Sequence, residues 1–180
     1  MMKGVVLSLL LLLTALTLSA KSSVVKRSTD VLCLLPSGTG FVKALVEKDR
    51  EGLWQLGLSS ATTLAANYAL EAAIKKDRPD GTGHHAFPST HAAVAFDGAT
   101  FLMRRYGWKW GVPAYAVSAY VSWGRVYADR HDWWDVLGGA VLGTASALIY
   151  TRPISRKTDL TIAPVAFGRD ACGVGMYLRF

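Results

Sequence analysis

Long apolar segments with helical spacing fill the chain from Leu53 to Tyr150, and they constrain its fold more than any other feature. They predict four helices, over Leu53–Lys76, His91–Tyr106, Pro113–Tyr127 and Asp132–Tyr150. The first ends before Pro79, because proline disfavours a helical conformation in the residue that precedes it. Glycines and alanines on the second and fourth segments favour close contact between helices. The sequence therefore predicts a mainly α-helical bundle.

The segments before and after these helices look different. Residues 21–40 are mixed, with a turn predicted at Pro36-Ser37-Gly38 and a short helix over Phe41–Lys48. Residues 160–167 and 173–180 alternate loosely between polar and apolar side chains, which predicts a small C-terminal β-hairpin. Cys33 and Cys172 could pair as a disulfide in an oxidising compartment or stay free, and sequence alone leaves both options open.

The first 20 residues resemble an export signal. Lys3 precedes an apolar run over 5–18, followed by the small residues Ser19-Ala20. This pattern is typical of a secretory signal peptide cleaved after Ala20, although an uncleaved membrane anchor is an alternative for which the run is short. We therefore expect a signal peptide over 1–20, a helical domain over 21–156 and a hairpin tail over 157–180, in a periplasmic or secreted protein.

Composition suggests an anionic partner. Hydrophobic residues make up 51% of the chain and charged residues 18%, with a net charge of +7. A basic surplus favours phosphorylated substrates, acidic membrane surfaces or nucleic acid. The segment Arg104-Arg105-Tyr106-Gly107-Trp108-Lys109-Trp110 mixes cations with aromatic rings, as membrane interfaces favour. A loop whose tryptophans pack on the core is the alternative interpretation of that segment.

Residues suited to phosphate chemistry cluster in the middle of the chain. All four histidines lie between positions 84 and 131, flanked by arginines and by Asp135. A neutral histidine can act as a nucleophile when its other ring nitrogen is held, and His131 precedes Asp135 by four residues. The alternative is that Asp132 and Asp135 only cap a helix.

A second candidate group begins the helix that contains His91. Ser89 is a natural N-cap, and the free N–H groups of a helix start suit a phosphate. Arg78 and Arg125 offer paired donors for phosphate oxygens, and Lys75 and Lys76 lie close to Arg78 in sequence. Taken singly, each of these residues could equally be structural or a solvated surface charge.

Three blocks in this order carry a family resemblance. They are Arg78-Pro79, Pro88-Ser89-Thr90-His91, and Arg125 followed at fixed spacing by His131 and Asp135. Together they resemble the signature of the type 2 phosphatidic acid phosphatase (PAP2) and vanadium haloperoxidase superfamily, which runs Lys-x6-Arg-Pro, Pro-Ser-Gly-His and Ser-Arg-x5-His-x3-Asp. The resemblance implies a helical bundle with its site among the helix ends, and it covers about half of the predicted mature protein.

The resemblance also implies a reaction and a role for each residue. His131 would attack phosphorus to form a phosphohistidine, Asp135 would orient it, and His91 would protonate the leaving group. The phosphate would be held by Arg78, Arg125, Ser89 and the N–H groups near Thr90. The expected substrate is a phosphorylated lipid or a small phosphate ester, in a metal-independent reaction without a cofactor. We expect a peripheral membrane contact and no nucleic-acid partner.

The sequence departs from the signature at three positions. Glu71 stands where the signature has lysine, so that Lys75 or Lys76 would have to supply the charge. Thr90 replaces glycine in the second block, and Gly124 replaces serine in the third. Glu71 puts substrate choice in question more than the type of reaction.

Four alternatives stay open at this stage. The chain could be a soluble, non-specific acid phosphatase or a vanadate-dependent haloperoxidase, although the latter are typically much longer. It could be a catalytically silent envelope protein that binds a lipid or a partner. It could also hold zinc through His84, His85, His91 or His131 and nearby aspartates, but no His-Glu-x-x-His helix or cysteine pair is present.

Overall fold

Six helices and two paired strands make up the described part of this computed structural model. The backbone is described for residues 23–154, 159–167 and 171–179, and side chains are described for 23–154. The helices are α1 (23–32), α2 (Leu35–Val46), α3 (Arg50–Ala73), α4 (Thr90–Tyr106), α5 (Trp108–Tyr127) and α6 (Trp133–Tyr150). The predicted mainly helical fold is confirmed, and the predicted signal peptide lies outside the described residues.

The strands are β1 (Asp159–Phe167) and β2 (Ala171–Arg179). They pair antiparallel, with Asp159 opposite Arg179 and Phe167 opposite Ala171. Residues 168–170, which connect them, lie outside the described residues, so the predicted hairpin as a unit stays a prediction. The side chain of Cys172 is also outside the description, whereas Cys33 is a buried free thiol that donates to the Asp30 carbonyl at 3.3 Å.

Helix α4 is the central element and packs against α2, α3, α5 and α6. It buries a run of small residues, among them Ala92, Ala95 and Ala99. Facing it on α6, Gly139 and Gly143 lie so close to α4 backbone carbonyls that a Cβ on either would clash. The small-residue faces that the sequence suggested for close packing thus meet each other, and their contact brings the start of α6 beside the start of α4.

Three segments differ from the sequence prediction, two near the N-terminus and one at the start of α5. Pro36-Ser37-Gly38 was predicted as a turn, but it forms the first turn of α2. Proline is tolerated there because the N–H that it lacks would have no helical partner in the first turn. Helix α5 begins five residues before the predicted Pro113 and contains this proline within its first two turns. Residues 23–32, predicted as mixed, are helical.

A buried ion pair closes the end of the bundle where α4 ends and α3 begins. Asp49 caps α3 by accepting from the Gly52 N–H at 2.9 Å. Its carboxylate also receives two bonds from the Arg105 guanidinium, at 2.6 and 2.8 Å. Hydrogen bonds from Arg105 lower the pKa of Asp49 to about 2. The pair stabilises one end of the bundle. The residues that the sequence predicts to carry the chemistry lie at the opposite end.

Candidate active site

The predicted site residues converge at one end of the bundle. This end holds the starts of α4 and α6, the ends of α3 and α5, and the described part of α1. His91 lies in the first turn of α4, Arg125 in the last turn of α5, and His131 just before α6. The electrostatic influence of Arg78 and Arg125 on both histidines places all four residues in one cluster.

His131 is held in a single tautomer by the backbone. Its side chain is only 4% exposed, and Nδ1 lies 2.9 Å from the carbonyl oxygen of Ala86. Because a carbonyl can only accept, Nδ1 carries the proton and Nε2 carries the lone pair. Burial lowers the pKa of His131 to about 3, and nearby Arg125 and Arg78 add to the effect. His131 is therefore a neutral imidazole at physiological pH, with an unprotonated Nε2 whose lone pair is available.

Asp135 lies beside His131 but does not make the orienting hydrogen bond that the sequence suggested. Its Oδ2 is 3.7 Å from His131 Nδ1 and accepts from the Asp132 N–H at 3.0 Å. Asp132 in turn accepts from the Asp135 N–H, which completes a capping box at the start of α6. Asp135 is fully buried. Capping and proximity to His131, treated as alternatives in the sequence, thus occur together.

The two predicted lysines differ from each other in this structure. Lys75 is exposed. Lys76 Nζ forms ion pairs with Asp132 at 2.5 Å and with Asp135 at 2.7 Å. These two carboxylates neutralise its charge, so it is not available to a phosphate. Lys76 balances the buried Asp135 charge, which would otherwise be costly to bury.

The two predicted arginines keep unused donors. Arg125 is 3% exposed, and its buried Nε has no hydrogen-bond partner among the described residues. The same holds for the Nε of Arg78. Buried guanidinium donors without partners are uncommon, because each loses its hydration on burial. Guanidinium donors of this kind are suited to binding an anion.

Asp30 is the residue that the sequence analysis missed. This aspartate on α1 accepts from Arg125 Nη1 at 2.6 Å, and its Oδ1 lies 3.1 Å from His91 Nε2. Burial lowers the pKa of His91 to about 4, with Arg125 acting in the same direction and Asp30 against it. Asp30 is itself exposed, and a single exposed carboxylate in a stretch predicted as mixed gives no local signal of this contact. Its partners lie about 60 and 95 residues further along the chain, beyond the reach of local pattern.

The start of α4 contains an unused hydroxyl and a polar network. Ser89 occupies the predicted N-cap position, yet its buried Oγ has no hydrogen-bond partner among the described side chains. The Thr90 hydroxyl donates to Glu71 at 2.8 Å, and the Asn67 amide bonds to both, at 2.8 and 2.9 Å. Two of the departures from the signature, Glu71 and Thr90, therefore contact each other.

The zinc alternative finds no support in the part of the chain with described side chains. No group of three His, Cys, Asp or Glu residues there is arranged to hold a metal ion. His84 instead pairs with Asp77 on an exposed loop.

Comparison with known proteins identifies the family. The sequence model of the PAP2 superfamily matches residues 5–159.

This chain belongs to the PAP2 superfamily.

Named relatives agree with this membership. A lipid A 4′-phosphatase of Helicobacter pylori (strain J99) is 30% identical over 97% of this chain and 96% of its own length. A lipid A 1-phosphatase of Helicobacter pylori (strain 26695) is 28% identical over 61% of this chain and 62% of its own. A lipid A 1-phosphatase of Porphyromonas gingivalis is 39% identical, but over 47% of this chain and 21% of its own length.

A solved structure supports the fold. The crystal structure of Aquifex aeolicus LpxE superposes with a TM-score of 0.59, at 20% identity, over 69% of this chain and 83% of that one. The predicted family and the predicted class of activity are thereby confirmed: the chain is a PAP2 phosphatase, a phosphoric ester hydrolase. The catalytically silent alternative loses its support.

Proposed function

We propose that this chain is a lipid A phosphatase that removes the 4′-phosphate through a phosphohistidine formed on His131. The observation that carries the chemistry is the buried, neutral His131, whose Nδ1 is held by Ala86, whose Nε2 keeps its lone pair and whose pKa is lowered by two nearby arginines. The choice of lipid A, and of its 4′ position, rests on the relative that matches along almost the whole chain. The 1-phosphatase relatives match over 61% of this chain or less.

The first step is attack of His131 Nε2 on phosphorus, with cleavage of the bond to the sugar oxygen. Nδ1–H stays bonded to Ala86, which keeps the ring oriented while positive charge develops on it. The buried carboxylate of Asp135, 3.7 Å away, stabilises that charge. Asp135 thus acts through charge and helix capping, while the backbone carbonyl orients the ring.

The departing sugar oxygen takes its proton from His91. With its pKa near 4 in the empty site, His91 is largely neutral at pH 7. A bound phosphate brings negative charge next to the ring and raises that pKa, since an opposite charge favours the protonated form. In the second step water attacks the phosphohistidine and gives its proton to His91, and inorganic phosphate leaves.

The phosphate oxygens would be held by Arg78, Arg125, the Ser89 hydroxyl and the free N–H groups at the start of α4. The unpartnered donors described above are the groups that such an anion would satisfy. Asp30 already bonds Arg125 and His91, so an incoming phosphate must displace this carboxylate or share the two residues with it.

The Glu71–Thr90–Asn67 network gives this site a carboxylate where the family signature has a lysine. A carboxylate repels a second phosphate and accepts hydrogen bonds from hydroxyl groups. We therefore expect a preference for a monoester on a sugar over a pyrophosphate. Lys75 and Lys76 have at most a long-range electrostatic role.

We place the protein in the bacterial envelope, in association with a membrane. The helical stretch Ser23–Val46 is long and apolar enough to cross a membrane by length and composition. Large apolar side chains on it are exposed, for example Val31 at 71% and Val46 at 77%. The proposal also includes a signal peptide over 1–20, a periplasmic location and a C-terminal hairpin over 157–180.

Phosphate release by the full chain in detergent, with EDTA present, tests the function. Lipid A, phosphatidic acid, a polyprenyl pyrophosphate and a soluble aryl phosphate are compared for wild type, His131→Asn and the exposed-loop control His84→Asn. We expect lipid A to be preferred, His131→Asn to be inactive and His84→Asn to match wild type. Mass spectrometry of the product identifies which phosphate is lost.

Three outcomes would contradict the proposal. Loss of the 1-phosphate would overturn the assigned position, and a preference for the aryl phosphate would favour the soluble acid phosphatase. Activity that survives in His131→Asn would remove the assigned nucleophile.

A further inference from the structure

The end of the bundle opposite the active site contains a basic cavity. Its volume is about 490 Å³, and its lining includes Lys43, Arg104, Lys109, Trp110 and Ile154. Arg105 and His91 lie 14 residues apart on α4, so at 1.5 Å per residue this cavity is about 20 Å from the active site. That distance separates it from any phosphate bound at His131.

The cavity keeps positive charge after its internal pairs are counted. Lys43 is paired with Glu47 at 2.5 Å, and Arg105 is paired with the buried Asp49. Arg104 uses its Nε on the Thr151 carbonyl and is otherwise exposed, and Lys109 is exposed. Among the residues with described side chains, two cations of this cavity therefore remain available to a ligand, which favours an anionic group.

Two apolar grooves meet this cavity at Trp110. One, of about 440 Å³, runs along α2 past Leu35, Val42 and Val46 and shares Lys43 and Trp110 with the basic cavity. The other, of about 250 Å³, runs between α2 and α5 past Pro113 and Val117 and shares Lys109 and Trp110 with it. The two grooves adjoin each other, since Leu35, Thr39 and Trp110 line both, and together they extend from the basic cavity. Lys43 Nζ lies where the basic cavity meets the groove along α2, 4.5 Å from the centre of the Trp110 ring.

We propose that these three cavities form a binding site for an anionic two-chain phospholipid, separate from the catalytic site. The phosphate headgroup lies against Arg104 and Lys109, and one acyl chain lies in each groove. The mixed basic and aromatic segment 104–110, which the catalytic mechanism leaves unused, is the part of the chain that builds the site. A free anion fits less well, because it would leave the two apolar grooves beside the cations unfilled.

Fluorescence of Trp110 reports on occupancy, since this ring lines all three cavities. The full chain in detergent is titrated with phosphatidylglycerol or phosphatidylcholine, each with brominated acyl chains that quench tryptophan on contact. Subtraction of the signal from Trp110→Phe isolates the contribution of Trp110 from that of the other five tryptophans. We expect half-saturation at least fivefold lower for phosphatidylglycerol than for phosphatidylcholine.

Matched variants assign the preference to the two cations. The double variant Arg104→Gln with Lys109→Gln should lose the preference for phosphatidylglycerol over phosphatidylcholine. The charge-conserving double variant Arg104→Lys with Lys109→Arg should retain that preference. The control Arg27→Gln with Arg50→Gln removes the same charge from exposed positions that line none of the three cavities, and it should behave as wild type. Phosphatase activity at the other end of the bundle reports that each variant is folded.

Several results would overturn the proposal. They are equal affinity for the two lipids, a preference that disappears equally in the control, and no quenching attributable to Trp110. Displacement of the brominated lipid by millimolar inorganic phosphate would instead assign the cavity to a free anion.

Discussion

Replacement of His131 by asparagine should abolish activity and also make folding less sensitive to acid. The asparagine amide nitrogen can take the place of Nδ1 and keep the hydrogen bond to Ala86, so the local structure is retained. What the substitution removes is Nε2, the proposed nucleophile, together with a group that must stay neutral while buried. The same variant therefore tests the chemistry and the electrostatics.

The expected size of the stability effect follows from the lowered pKa of His131. In the unfolded chain this residue binds a proton near its ordinary pKa of 6.5, whereas in the folded protein it does so only near pH 3. Between those values the unfolded state holds the extra proton, so the free energy of unfolding falls by about 1.4 kcal/mol per pH unit as pH decreases. From pH 7 to pH 5 the contribution of His131 is a loss of about 2 kcal/mol, which His131→Asn avoids.

Guanidinium unfolding of wild type and His131→Asn at pH 7 and pH 5, followed by tryptophan fluorescence, measures this difference. His84→Asn is the matched control, because that side chain is 76% exposed on a loop. We expect wild type and His84→Asn to lose stability in parallel, while His131→Asn loses about 2 kcal/mol less. Equal losses in all three proteins would refute a buried, neutral His131, and with it the lone pair that the mechanism requires.

Three further substitutions test other parts of the structure. Asp30→Asn removes a negative charge beside Arg125 and His91, which the proposal places against the phosphate, so inorganic phosphate should inhibit the enzyme about tenfold more strongly. An unchanged inhibition constant would show that Asp30 and the phosphate do not compete for these two residues. Burial raises the pKa of Asp97 to about 6, so its ionisation costs stability as pH rises from 3.8 to 6. Asp97→Asn should therefore stabilise the protein by up to about 3 kcal/mol at pH 7 but little at pH 4, a contrast that thermal melts can confirm or contradict. Asp49→Asn leaves Arg105 buried without its charge partner and should lower the free energy of unfolding by about 3–5 kcal/mol. A melting temperature within about 2 °C of the wild-type value would disprove that account.

The predicted chemistry depended on residue types at short, fixed spacings, which a sequence displays directly. His131 and Asp135 are adjacent because a capping box at the start of α6 sets their separation. Ser89 and His91 are similarly fixed by the start of α4. Helix ends follow local rules of proline, glycine and capping, so the elements that carry these residues could be predicted from short windows of sequence.

The errors near the N-terminus have a common cause. Proline and glycine at 36–38 suggested a turn, but the same residues are compatible with the first turn of a helix. Which of the two forms depends on packing against α4, where Gly98 lies directly against Pro36 and Ser37. Local pattern could not reveal that contact, because its two sides are about 60 residues apart.

The sequence by itself determined the helical class, the family and the set of groups able to bind and attack a phosphate, because each of these depends on local spacing and residue type. Only the tertiary structure decided how those groups are partnered. In the folded protein the Ala86 carbonyl orients His131, and two carboxylates pair with Lys76. Asp30 contacts both Arg125 and His91. These pairings join segments about 45 to 95 residues apart, and they form because a charge or a ring nitrogen removed from water takes whatever partner the packed helices bring within reach.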